Sequence, residues 1–251
     1  MSSSLSSLAV QGFLRSDGRK GIRNCIVVAY LMECAHHVAR EIVDSFRGQP
    51  VHLIGYQLCT HPNVGGALLL SLGCESFNRP RLAENIAKSG RPTATVVIQQ
   101  TGGTRKSIDA GKAWVEQALQ QIAKVPRAPL RANELVVGTV CGGSDATSGI
   151  SANPAVGRAF DMLVNQGAAT IFEETGEMIG LENVMAARAV TPALGRELKS
   201  SVEKAARYYK QMGHASFAPG NAEGGLTTIE EKSIGAYCKS GDSPISGLIK
   251  P

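Results

Sequence analysis

The 251-residue chain has no long hydrophobic run, few aromatic side chains and no extended run of Lys or Arg. Each absence removes a class of function. The longest apolar stretches, Cys25–Met32 and Ala67–Leu72, fall well short of the roughly 20 residues that a bilayer-crossing helix needs. Aromatics make up 5% of the chain and the net charge of +5 is scattered, so the basic stripe with stacking rings that nucleic acid requires is missing. No CxxC pair joins the six cysteines (Cys25, Cys34, Cys59, Cys74, Cys141, Cys238), which suits reduced thiols rather than a disulfide frame. Neither GxGxxG nor GxxxxGK[ST] occurs, which weakens a nucleotide-binding reading. The opening Met1-Ser-Ser-Ser lacks a basic region followed by an apolar one, so residues 1–11 read as a disordered tail and not a secretory signal. The expectation is a cytoplasmic protein that meets neither membrane nor nucleic acid.

What is present is ordinary globular material, 43% hydrophobic and 19% charged. Nearly continuous apolar runs at Cys25–Leu31, Val51–Gly55, Ala67–Leu72, Ala94–Gln99, Leu135–Val140 and Ala168–Glu173 predict parallel strands covered on both faces. Helices are predicted between them. One runs from Cys34 towards Gly48, one is opened by Thr104 with Ile108, Gly111, Val115, Ala118 and Ile122 on one face, and one carries Val156, Phe160 and Val164 and stops at Gly167. The alternation predicts a three-layer α/β fold, a mostly parallel Rossmann-like sheet with helices on both faces, over residues 12–251. One connection is too short for the pattern: Tyr56–Gly66 has no room for a crossover helix. Either the flanking strands pair differently or a helix has been lost. The final residues, from Gly235 to Pro251, read as the start of a further strand or domain.

The most polar loop is Cys141-Gly-Gly-Ser144-Asp145 continuing through Ser148-Gly-Ile-Ser-Ala-Asn153-Pro154. It follows a strand and precedes a helix that Asn153 can cap, the position where α/β sheets bind small ligands. The two glycines let backbone N–H groups face an anion. Phe217–Glu223 reads as a loop, and Thr228 with Glu231 fits a capping box.

Taken in order, Arg15-Ser-Asp17-Gly18-Arg19 with Gly21-Ile-Arg23-Asn24, His61-Pro62-Asn63, Gly73-Cys74-Glu75, Cys141-Gly-Gly-Ser-Asp145, Glu174-Thr-Gly-Glu177 and Gly224-Gly-Leu-Thr-Thr-Ile-Glu-Glu-Lys232 resemble the altronate/galactarate dehydratase family. Val27–Ile42 and Phe172–Glu177 favour its sulfolactate-cleaving branch. The resemblance implies a metal-assisted lyase, usually dependent on Fe2+, that eliminates a group β to a carboxylate. The leaving group is water from sugar acids and sulfite from (2R)-sulfolactate. It also implies a small partner subunit and an oligomer. Relative to that family the chain lacks a Gly-Cys loop and helix after Val51–Gly55, and the region beyond Pro251.

Elimination of this kind must deprotonate a carbon beside a carboxylate and stabilise a doubly charged enediolate. The residues assigned to that task are Cys74, Glu75, Cys141 and Asp145 at the metal, Glu174 or Lys232 for the proton, and Arg19, Arg23, Asn24, Ser144 and Asn153 for the substrate anion. Each has a plainer alternative. Cys74 and Cys141 could be packed thiols, and Glu75, Glu174 and Glu177 acids of a first helical turn. The arginines could form a salt-bridged arm or meet a partner subunit. His36 and His37 point about 100° apart on a helix and cannot chelate as a pair, and His61 could serve its turn. The rivals to a lyase are an inactive fragment or a non-catalytic anion-binding module in which Gly102-Gly103-Thr104 cradles a phosphate.

Overall fold

The computed structural model describes residues 10–172, 175–213 and 219–249. The chain divides into two compact units that meet between Leu130 and Arg131.

In the first unit, β3 (Cys25–Tyr30), β4 (Val51–Leu53), β5 (Val64–Ser71) and β6 (Thr93–Val97) form a parallel sheet in the order β4-β3-β5-β6. Its period-two alternation buries both faces. Ile26, Val28, Leu68 and Leu70 pack with Val38, Ala39 and Ile42 of α1 (His36–Asp44) and with Ile108, Val115 and Ile122 of α4 (Thr104–Ile122). Val27, Ala29, Ala67 and Leu69 pack on the other face with Cys59 and with Ile86 of α2 (Arg79–Ala87). Each fully buried aliphatic side chain contributes about 1.5–3 kcal/mol, so a continuous apolar strand is stable only when layered on both sides. This is the expected three-layer arrangement. α3 (Ile98–Thr101) is a single turn, and Gly102 and Gly103, both at φ 96°, bend the chain from it into α4. Gly111 permits close packing of α4 on α1, because a Cβ there would stand 2.3 Å from the Ile42 side chain.

The short connection is explained by strand order. β4 and β5 do not pair with each other but lie on opposite sides of β3, joined by one 3-10 turn at Tyr56–Leu58 instead of a crossover helix. A second feature was not anticipated: β1 (Val10–Leu14), β2 (Lys20–Gly21) and β7 (Arg127–Leu130) form an antiparallel sheet in the order β2-β1-β7. Val10 and Gln11 therefore belong to a strand and not to the tail; residues 1–9 lie outside the described residues. Short strands containing Gly12 or Pro129 carry little hydrophobic periodicity, so the sequence hid them.

In the second unit, β8 (Val136–Thr139) and β9 (Ala169–Phe172) pair in parallel and are joined by α5 (Ala152–Asn165). Gly167, at φ 88°, ends that helix as anticipated. A core of Met178, Met185, Leu198, Val202, Ala236 and Ile245 unites α6 (Glu182–Ala187), α7 (Pro192–Gln211) and α9 (Ile229–Lys239). The stretch expected as a loop at Phe217–Glu223 contains a short helix, α8 (Pro219–Glu223); residues 217 and 218 lie outside the described residues. Among the described residues no helix is long and apolar enough to cross a membrane.

Candidate active site

The polar loop after β8 forms one wall of a cavity of about 200 Å³ in the second unit, with Ser144, Asp145, Ser148 and Asn153 on one side and Glu231 and Lys232 on the other. Glycines make this approach possible. A Cβ on Gly149 would stand 2.9 Å from Gly235 Cα, and one on Gly224 would meet the Ser144 carbonyl at 2.7 Å. Ala146 N–H donates to the Gly224 carbonyl at 3.0 Å, closing the loop against the Gly224–Gly235 segment.

Asn153 does not cap α5 as expected. Ser151 occupies the cap position, and Asn153 sits in the first turn with its Nδ2 donating to the Gly235 carbonyl at 2.8 Å. Its amide oxygen has no protein donor within hydrogen-bonding distance among the described residues. Asp145 is organised by its own loop: Oδ1 accepts from Thr147 N–H and Thr147 Oγ1 at 2.7 Å, and from Ser148 Oγ at 3.3 Å. The Thr147 hydroxyl above all, with its N–H and Ser148, lowers the Asp145 carboxyl below its usual range. Cys141 is half-buried with Sγ 3.4 Å from Ser144 Oγ.

On the opposite wall, Thr228 caps α9 by accepting from Glu231 N–H at 3.2 Å, while Glu231 returns its carboxylate to Thr227 N–H and Oγ1 at 2.7 Å, one residue earlier than a capping box requires. These hydroxyl and N–H donors lower the Glu231 carboxyl as well. Lys232 Nζ lies 3.8 Å from Glu177 Oε1, and Lys239 Nζ lies 2.6 Å from Glu177 Oε2. Glu177 is anchored in a 3-10 turn at Thr175–Met178, and Glu174 lies outside the described residues. The sequence reading missed Lys239, although its spacing of seven from Lys232 puts both on one helix face.

The candidates of the first unit have different surroundings. Arg19 forks onto Asp17 (Nε 3.0 Å and Nη2 2.7 Å from Oδ2) and donates to the Thr60 carbonyl at 2.9 Å. The Arg19 side chain, foremost, holds the Asp17 carboxyl below its usual range. Asn24 spends its amide inside the fold, with Oδ1 accepting from Arg15 at 2.8 Å and Nδ2 donating to the Ile122 carbonyl at 2.8 Å. Arg23 is exposed and its backbone N–H donates to Asn63 Oδ1. His61 does serve its turn, accepting from Asn63 N–H at 3.1 Å, and burial foremost, with Arg19 and Arg91, lowers it below the usual histidine range.

Cys74 is exposed. Glu75 beside it is only 5% exposed and accepts from Ser71 Oγ, from Gly73 N–H at 2.8 Å and from Arg79 at 3.2 Å. Burial alone would raise its carboxyl, but these donors outweigh that and hold it at about 2. Arg91 was not singled out from sequence. It is buried, donates to the Val64 carbonyl at 2.8 Å, and keeps one guanidinium nitrogen without a hydrogen-bond partner, 3.9 Å from Asp17.

As a metal-binding set, these residues fit poorly within either unit. Cys74 and Glu75 belong to the first and Cys141 and Asp145 to the second. Among the described residues no group of three or more His, Cys, Asp or Glu side chains is placed to share an ion. Glu75 and Asp145 direct their oxygens at donors of their own loops.

A polar strand-to-helix loop facing a lysine across a small cavity is the kind of place where α/β scaffolds bind small ligands. The comparisons with known proteins give that site a lineage. Residues 132–251 match the C-terminal domain of D-galactarate/altronate dehydratase, and residues 12–55 and 52–123 match the second domain of D-galactarate dehydratase/altronate hydrolase. The chain belongs to the altronate/galactarate dehydratase family. The second-domain match comes in two pieces that overlap at residues 52–55, at the end of β4. The chain is 31% identical to the (2R)-sulfolactate sulfo-lyase subunit beta of Chromohalobacter salexigens, over 92% of this chain and 64% of that protein. It is 28% identical to altronate dehydratase of Bacillus subtilis (96% and 54%) and 34% identical to galactarate dehydratase (L-threo-forming) of Escherichia coli K12 (80% and 40%). The chain thus spans about half the length of the curated relatives it matches.

Proposed function

We propose that the chain is part of a cytoplasmic lyase that performs β-elimination on a small hydroxy-acid anion, most specifically the conversion of (2R)-sulfolactate to pyruvate and sulfite. The observation that carries the reading is the cavity between the Ser144–Asn153 loop and Lys232, in a chain whose relatives are lyases of hydroxy acids. Its polar walls suit a small hydroxy-acid anion. The likeness to a sulfo-lyase subunit points the same way and supports a small partner subunit within an oligomer.

The chemistry divides among the residues as follows. Ser144 Oγ donates to the substrate carboxylate, and the uncommitted Asn153 oxygen accepts from the substrate hydroxyl. Lys232, as the ammonium of an ion pair with Glu177, meets the charge that develops on the carboxylate when the α-proton leaves. Glu174 is the base that takes this proton. The electron pair then forms the Cα–Cβ double bond as the carbon–sulfur bond breaks, releasing sulfite, and the enol gains a proton at Cβ as its hydroxyl gives one up, becoming pyruvate. A divalent metal, Fe2+, would supply further charge stabilisation; because the described donors do not assemble a ligand set, no step is assigned to it.

The test is an anaerobic assay with added Fe2+, measuring sulfite and pyruvate from (2R)-sulfolactate with and without the small subunit. Release of both, lost in Lys232→Met, supports the reading. A keto-deoxy sugar acid from altronate or galactarate moves the substrate to the dehydratase branch. No turnover of any of these acids, with no bound iron, favours the anion-binding module or inactive fragment.

A further inference from the structure

Lys232 and Lys239 lie two turns apart on one face of α9, with Glu177 between them. Glu177 and Lys239 are each only 6% exposed. Removing two charges from water costs several kcal/mol per ion, and a hydrophobic pair could hold the turn on the helix equally well. The salt bridge is therefore poorly accounted for by stability alone. Its geometry is asymmetric: Lys239 holds Oε2 at 2.6 Å, leaving Oε1 directed at Lys232, 3.8 Å away on the cavity wall. The backbone that carries Glu177 is also fixed, since a Cβ on the preceding Gly176 would stand 2.6 Å from the Tyr209 ring of α7, and the following Met178 is 2% exposed.

We infer that Glu177 and Lys239 are positioning residues: Lys239 sets the orientation of the Glu177 carboxylate, and that carboxylate holds the Lys232 ammonium where an anionic substrate docks. The inference rests on the reading of the cavity as the substrate site. It assigns a task to Lys239, which touches no substrate.

The experiment uses the full chain labelled with 15N-lysine. The Nζ signals of Lys232 and Lys239 are identified by their loss in Lys232→Arg and Lys239→Arg, and sulfolactate turnover is measured on the same samples. In Lys239→Met the Lys232 Nζ signal shifts or broadens and kcat falls about 100-fold, the scale of a displacement of about 1 Å at a reacting site, with a smaller change in KM. Lys239→Arg, which still offers a donor to Oε2, recovers most of the kcat. Where Lys239→Met does not fold, the double variant Glu177→Gln/Lys239→Met removes both charges of the buried Glu177–Lys239 pair together and should show the same displaced Lys232 signal. An unshifted Lys232 signal in either folded variant overturns the inference. If the wild-type chain turns over no hydroxy acid while its Lys232 signal still responds to Lys239→Met, the lyase reading fails and the positioning stands.

Discussion

Replacing Gly157 with alanine is a severe test of the second unit, because two helical effects oppose each other and only the packing decides the sign. Gly157 lies one turn beyond Asn153 on α5, against the end of α9. A Cβ there would stand 2.0 Å from the Cys238 carbonyl oxygen, 2.9 Å from Gly241 N and 3.1 Å from Gly241 Cα. All three are backbone atoms, so no rotamer change relieves the overlap. In an unobstructed helix interior, alanine would instead stabilise by about 1 kcal/mol over glycine. Overpacking of a well-filled site costs about 1–3 kcal/mol and at times more, and a backbone clash this close belongs at the upper end. The net expectation is a loss of about 2 kcal/mol, or about 4–8 °C in the unfolding midpoint. The displaced α9 should also pull the Gly235 carbonyl from Asn153 and widen the cavity, weakening binding of the proposed substrate. Circular dichroism melting of the full chain reads the first effect, and hydrogen exchange should place the loosening at α5 and α9. Gly220→Ala serves as a control, since its added Cβ meets nothing within 4 Å among the described residues and it should be neutral or slightly stabilising. A Gly157→Ala protein that melts at or above the wild-type temperature would refute the proposed α5–α9 contact.

Two further outcomes concern the first unit. The Glu75 carboxyl sits at about 2 in the folded chain against an ordinary 4.5, so its contribution to stability is complete above about pH 4.5 and is lost as the pH falls towards 2. The shift corresponds to up to about 3 kcal/mol; urea titrations from pH 2 to 7 should show this slope and Glu75→Gln should flatten it, whereas identical acid profiles would contradict the assignment. Asn24→Asp keeps the acceptor for Arg15 but removes one of the two donors to the Ile122 carbonyl, leaving it Val125 N–H, an expected loss of about 1 kcal/mol by denaturant unfolding. Unchanged stability with a raised KM would instead place Asn24 in the substrate site.

The sequence alone determined the central layers of this protein. A run such as Cys25–Leu31, apolar at every position, has one stable use in water: a strand with both faces covered, and alternate side chains of β3 and β5 duly enter two separate cores. Family membership was equally legible, because motifs kept in order along the chain need no coordinates to be read. The polar loop after β8 was marked as a site by its composition, and the cavity lies there.

Other features were decided only by the tertiary structure, since they depend on which groups meet from distant parts of the chain. Asn153 and Thr228 both suit a helix cap, yet only Thr228 caps, because the Gly235 carbonyl offers Asn153 a better partner 82 residues away. Asn24 resembles a ligand for an anion until Arg15 and Ile122 are seen to occupy its amide. Lys239 looks like any helix-terminal cation until burial brings it to Glu177. Local patterns fix hydrophobic burial and backbone conformation; the fate of a polar side chain is set by the partner that folding delivers to it.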